Sequence, residues 1–169
     1  YLPFGATHAP HQAPPEFLEK YRGRFDEGWD VIREQWYKRQ LEMGVIPEGT
    51  ALAPRNRGVR PWEELSDNQR NFAIGLQEAF AGFLDHTDHH IGRLISFLEE
   101  MGDLDNTILF LLSDNGASQE GTSTGLMDGS RYFEGVMGED VDAIQPRLDE
   151  IGGPRSHSNY PWGWAQVGN

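Results

Sequence analysis

Apolar positions along this chain fall into three regimes. Across residues 66–101, Phe72, Leu76, Phe80, Phe83, Leu84, Ile91, Leu94, Ile95 and Leu98 recur at three- and four-residue spacing. That period marks one face of a long amphipathic helix. Ser66 or Asp67 is placed to cap its start and Gly102 to end it, with a break expected near Gly82 or Gly92. Residues 107–112, Thr-Ile-Leu-Phe-Leu-Leu, are instead a continuous apolar run, too short for a helix and fitting a strand buried on both faces, as in parallel sheets. In the third regime, Trp29, Ile32, Trp36 and Met43 share a helical face in a segment that Asp26 would cap and Gly44 would end. Helix, turn and buried strand together predict an α/β layered fold.

Between these elements the pattern breaks down. Pro10, Pro14 and Pro15 keep the first loop out of helix, and a short helix is expected from Pro15 to Tyr21. Residues 45–65 read as a connection that Trp62 anchors, and residues 116–138, with six glycines, as a long loop. Residues 119–150 read as a loop and acidic insertion, its Glu134, Glu139, Asp140, Asp142, Asp149 and Glu150 on a solvated surface. The five tryptophans read as core and loop anchors, with one or two suited to stacking on a sugar or aryl ring. Tyr1–Phe4 reads as the end of a strand entered midway, and Trp162–Asn169 as an apolar stretch without a closing element. The expectation is an internal piece of a longer protein.

Charge narrows the partners. Fourteen Lys+Arg against 27 Asp+Glu give a formal net charge of −13, which repels phosphate backbones and anionic headgroups and argues against nucleic acid. No apolar run reaches the roughly 20 residues that span a bilayer. The absence of cysteine excludes disulfides and thiolate metal sites within these residues.

Three constellations carry candidate chemistry. Ser113-Asp114-Asn115-Gly116-Ala117-Ser118 follows the buried run directly, at a strand's carboxyl end, where α/β sheets bind ligands. A carboxylate beside an amide oxygen offers hard donors suited to Ca²⁺ or Mg²⁺. The competing reading is an Asn-Gly hairpin turn, but residues 117–123 do not form a second strand pattern. His8-Ala9-Pro10-His11 places two imidazoles on a stiff loop after a strand, suited to an anion, to acid/base work or to a metal, or simply exposed. Asp85-His86-Thr87-Asp88-His89-His90 puts His86 and His90 on one helix face. A zinc-binding helical module is one reading of it. The spacing lacks the Glu of His-Glu-x-x-His, so a solvated face with an Asp85–His89 pair is favoured.

In order along the chain, these segments form a wider pattern. It comprises His8-Ala9-Pro10-His11-Gln12-Ala13-Pro14, Tyr21-Arg22-Gly23-Arg24-Phe25-Asp26, Gly28-Trp29-Asp30 and Gly44-Val45-Ile46-Pro47. It continues with Asp88-His89-His90-Ile91-Gly92-Arg93-Leu94, Leu104-Asp105-Asn106-Thr107, Ser113–Ser118 and Gly163-Trp164-Ala165. The set resembles the arylsulfatases of the type I, formylglycine-dependent sulfatase family, over nearly the whole chain. The resemblance implies an alkaline-phosphatase-like α/β fold, a mainly parallel central sheet flanked by helices, of which residues 1–169 would be an internal part of one catalytic domain. It implies a sulfuric ester hydrolase acting on a small-molecule or glycan sulfate ester. Asp114 and Asn115 would be two ligands of a Ca²⁺ ion, preferred over Mg²⁺. His8 would contact the sulfate near the leaving oxygen, with His11 beside it. The remaining calcium ligands, the formylglycine nucleophile and a sulfate-binding lysine would lie outside these residues, leaving the fragment inactive by itself. A phosphodiesterase or phosphonate hydrolase of the same superfamily, or a non-catalytic Ca²⁺- or anion-binding homologue, are the alternatives.

Overall fold

The computed structural model describes residues 1–135 and 138–168. Val136 and Met137 of the expected 116–138 loop, and Asn169 of the closing apolar stretch, lie outside the described residues. Four α-helices organise the rest: α1 (Pro15–Glu19), α2 (Gly28–Glu42), α3 (Asp67–Glu100) and α4 (Trp162–Val167). Short 3₁₀ turns at Trp62–Glu64, Leu104–Asn106, Gly129–Glu134 and Gln145–Glu150 link them.

The long helix is continuous. Ser66 caps α3 in a reciprocal box: the Gln69 amide donates to Ser66 Oγ (3.3 Å) and the Ser66 amide donates to Gln69 Oε1 (3.0 Å). Neither Gly82 nor Gly92 interrupts it. Gly82 instead admits α1, since a Cβ there would meet the Phe17 carbonyl at 3.0 Å. Its N-terminal half buries Phe72, Ala73, Leu76 and Ala79.

Against that half packs an aromatic cluster from three elements: Trp29 of α2, Trp62 of the connection and Trp164 of α4, with Phe25. Trp29 and Trp62 meet edge to face at 4.7 Å, and Phe25 and Trp164 at 5.4 Å. Each of two glycines makes room for an indole. A Cβ on Gly28 would fall 2.2 Å from Trp62, and one on Gly163 would fall 2.3 Å from Trp29. The buried indole nitrogens are satisfied by backbone, Trp29 donating to the Arg60 carbonyl (3.1 Å) and Trp164 to that of Ala73 (2.9 Å). The anchor role expected of these tryptophans is met, except at Trp36. That ring on α2 and Met43 just after the helix lie exposed, and α2 buries only its first turns, at Gly28, Trp29 and Ile32. Asp26 does not cap α2 either; Glu27 occupies the cap position without a side-chain bond.

Two further expectations are corrected. The run 107–112 forms no ladder: Ile108 is 80% and Phe110 86% exposed. Among the described residues no regular strand exists, only an antiparallel bridge Leu126–Asn159 and a parallel bridge Asp128–His157. A strand buried on both faces needs neighbours on both edges, and no described segment supplies them, so the expected parallel sheet is not formed here. In the acidic segment, Glu139 is not solvated. Its side chain, 3% exposed, accepts from the Met127 and Asp128 amides (3.1 and 3.2 Å) and pairs with Arg131 (3.2 Å). Two otherwise unpaired backbone donors draw the carboxylate inward.

Candidate functional site

The loop that carries His8 and His11 is stitched to residues 152–158 by backbone hydrogen bonds. The His11 amide donates to the Ser158 carbonyl (3.1 Å), Ser158 Oγ returns a bond to the His11 carbonyl (3.1 Å), and the Ala13 amide donates to Gly152 (3.1 Å). Gln12 adds a side-chain bond to the Ser156 carbonyl (2.7 Å). The loop is thereby fixed although it contains no regular element.

The two histidines are held differently. His8 is exposed, its Nδ1 2.7 Å from the Ala9 carbonyl. That contact places the proton on Nδ1 of the neutral ring and leaves Nε2 free to face outward. His11 is 2% exposed, stacked on Tyr160 at 5.1 Å and meeting the edge of Phe80 at 5.2 Å. Burial pushes its pKa down to about 4, reinforced by His8 and His157 and opposed by a backbone contact with Thr7. His11 is therefore a neutral, packed imidazole whose buried Nδ1 has no partner among the described residues.

Asp114 and Asn115 lie exposed at the end of the unladdered run, where Ser113 Oγ donates to the Asn115 carbonyl (2.6 Å). Three residues later the Ser118 amide donates to Tyr160 Oη (3.1 Å). Tyr160 thus joins both motifs: its hydroxyl holds the segment after Asp114-Asn115, and its ring carries His11. Burial raises the Tyr160 pKa, so the phenol stays protonated and retains a lone pair for the Ser118 amide. The Tyr160 role was missed in the sequence, because nothing local distinguishes this tyrosine; only a hydrogen bond across 42 residues reveals it. His157 was missed as well. It lies close enough to His11 to depress its pKa, and its ring fills the space beside Gly129, where a Cβ would meet Nδ1 at 2.8 Å.

Among the described residues no three His, Asp or Glu side chains are grouped to hold a metal ion. Ca²⁺ takes six to eight oxygens, so Asp114 and Asn115 would be a minor part of its shell. Their chemistry fits: two hard oxygen donors side by side, both open to solvent. A mostly apolar cavity of about 170 Å³, lined by Trp29, Leu65, Ala73, Pro161 and Gly163, contains none of the predicted site residues. No described helix is long and apolar enough to cross a membrane.

One tyrosine thus links the loop of an exposed imidazole to the segment of a pair of hard oxygen donors. The chain belongs to the sulfatase family, whose sequence profile matches residues 1–148. It is 42% identical over 118 residues to an uncharacterized sulfatase of Schizosaccharomyces pombe, covering 69% of this chain and 21% of that protein. It is 29% identical to an arylsulfatase of Klebsiella aerogenes over 169 residues, 100% of this chain and 34% of that protein. The chain therefore spans about a third or less of the length of these relatives.

Proposed function

We propose that these residues are an internal part of the catalytic domain of a sulfuric ester hydrolase of arylsulfatase type, with residues 119–150 as a loop and acidic insertion. Family membership supports the reaction class. The observation that carries the site is Tyr160, which links the Asp114-Asn115 segment to the His8-His11 loop through one hydrogen bond and one ring stack. In this reading the apolar run 107–112 is an inner strand of an alkaline-phosphatase-like parallel sheet whose other strands lie outside these residues. Its apolar side chains on both faces support that placement.

Asp114 and Asn115 would be two of the ligands of a Ca²⁺ ion, which when bound would offset negative charge on the sulfuryl oxygens. The nucleophile is a formylglycine outside these residues, so residues 1–169 alone are inactive. His8 faces the ester's leaving oxygen. As the sulfur–oxygen bond breaks, the departing oxygen gains charge, and His8, with Nδ1 held on the Ala9 carbonyl, would donate to it from Nε2 as the imidazolium. His11 neighbours the site as an uncharged ring, since it stays neutral above about pH 4. The substrate is a small-molecule or glycan sulfate ester.

The test uses the full-length protein. Asp114→Ala should lower Ca²⁺ affinity and, with it, turnover of an aryl sulfate by ~10²–10³-fold, the scale of losing an electrostatic stabiliser. Retained turnover would overturn the metal assignment. His8→Ala should slow esters of poor leaving groups more than nitrophenyl sulfate. An equal loss for both would place His8 in ground-state sulfate binding, and a preference for phosphate or phosphonate esters over sulfates would replace the reaction class.

A further inference from the structure

The histidines of α3 take no part in that reading, yet two of them are arranged as ligands. His86 and His90 are one turn apart, and their Nε2 atoms lie 3.0 Å from each other. Two metal–nitrogen bonds of about 2.0–2.1 Å, set about 90–110° apart, need nitrogens about 2.9–3.4 Å apart. The observed separation, spanned here by a hydrogen bond between the rings, falls within that range. Both rings are only half-buried, so an ion has access from solvent.

The rings are also held. Phe17 of α1 meets the His86 ring edge-on at 4.9 Å, and Lys20, just past the end of α1, pairs with Asp85 at 2.6 Å on the neighbouring position, pinning α1 along this stretch. On the other ring, an Arg93 N–H donates to His90 Nδ1 at 3.0 Å. Arginine cannot accept, so Nδ1 is the unprotonated nitrogen and the ring's proton sits on Nε2, donated to His86 Nε2. A metal needs that Nε2 lone pair. Binding therefore moves the His90 proton to Nδ1 and releases Arg93, whose charge also opposes a cation. His89, 5.2 Å from His90 between ring centres, contributes no third ligand.

We propose that His86 and His90 form a bidentate site for a borderline-soft divalent transition-metal ion, Cu²⁺ before Ni²⁺ or Zn²⁺, with water completing the shell and Arg93 as a built-in competitor. Imidazole nitrogen suits these ions and Ca²⁺ prefers oxygen, so saturating Ca²⁺ leaves the site available.

The experiment titrates Cu²⁺ into the full-length protein in saturating Ca²⁺, following binding by calorimetry and nitrogen coordination by electron paramagnetic resonance. Wild type should show two imidazole nitrogens on one ion. His90→Gln should lose one of them and weaken that binding by ~100-fold or more, since joining two ligands on one scaffold gains ~10²–10⁴ over a single ligand. Arg93→Ala should tighten it. His86→Gln should weaken it like His90→Gln; because His86 also supports α1, the exposed-side His90 variant is the deciding one. Unchanged Cu²⁺ stoichiometry and affinity in His90→Gln, or weaker binding in Arg93→Ala, would overturn the proposal.

Discussion

The two halves of α3 obey the same sequence rule and meet opposite fates. Residues 72–82 and 84–98 both carry apolar side chains at helical spacing. The first half is sealed: Phe72 and Leu76 are both 0% exposed, beneath Trp164 and the turns of residues 122–128. The second half leaves Leu84, Leu94, Ile95 and Phe97 in solvent, and the run 107–112 that follows is more exposed still. Amphipathic spacing states that a face must be covered but not by what. In the first half, the covering residues lie elsewhere in this chain, in α2, α4 and residues 120–165. For the second half, no described residue of this chain supplies a comparable cover. Large contiguous apolar patches of this kind mark surfaces that normally meet another element.

The sharpest way to break this contrast is to substitute one apolar residue in each region of the full-length protein. Leu111→Asp should destabilise by ~3–5 kcal/mol if the run becomes an inner strand, because an unpaired carboxylate would then be buried. Leu76→Ala, in the half already packed, should lose ~2–5 kcal/mol. Denaturant melts of both variants check this. A Leu111→Asp protein within ~0.5 kcal/mol of wild type would make the run a surface segment, and the contrast would collapse.

A smaller effect follows from His11, whose ring belongs to the packed region while its loop neighbour His8 faces solvent. Its folded pKa of about 4 lies below the ordinary histidine value of 6.5, so between these pH values the unfolded chain binds a proton that the folded chain does not. Stability from this residue is present above about pH 6.5, falls as pH drops, and levels off below about 4, a loss on the order of 3 kcal/mol. His11→Phe keeps the stack on Tyr160 and removes the titration. The urea midpoint of wild type should fall relative to that of His11→Phe as pH drops from 7 to 4, and parallel curves would show that the imidazole is solvated.

The smallest expected effect tests the link itself. Tyr160→Phe leaves the ring on His11 but removes the acceptor for the Ser118 amide, costing ~1 kcal/mol. Hydrogen exchange at the Ser118 amide should accelerate in that variant while the His11 amide, bonded to Ser158, stays protected. Unchanged exchange at Ser118 would mean that the two motif loops are joined elsewhere.

Local pattern determined a good deal by itself. The long helix at 66–101, its serine cap, the proline-started α1 and the glycine stop after α2 were all legible, because each depends on residues a few positions apart. So were the ordered motifs that place the chain among the sulfatases, and the indoles at Trp29, Trp62 and Trp164 as anchors. Tertiary structure decided which apolar residues are inside, because burial depends on what lies opposite rather than on spacing. Trp36 and Trp29 share a helical face, yet only Trp29 meets Gly163 and Trp164. Glu139 resembles any acidic surface residue until two backbone amides at 127 and 128 require an acceptor. His8 and His11 are three positions apart in one motif, and packing against Tyr160 and Phe80 makes the second a neutral buried ring while the first stays exposed.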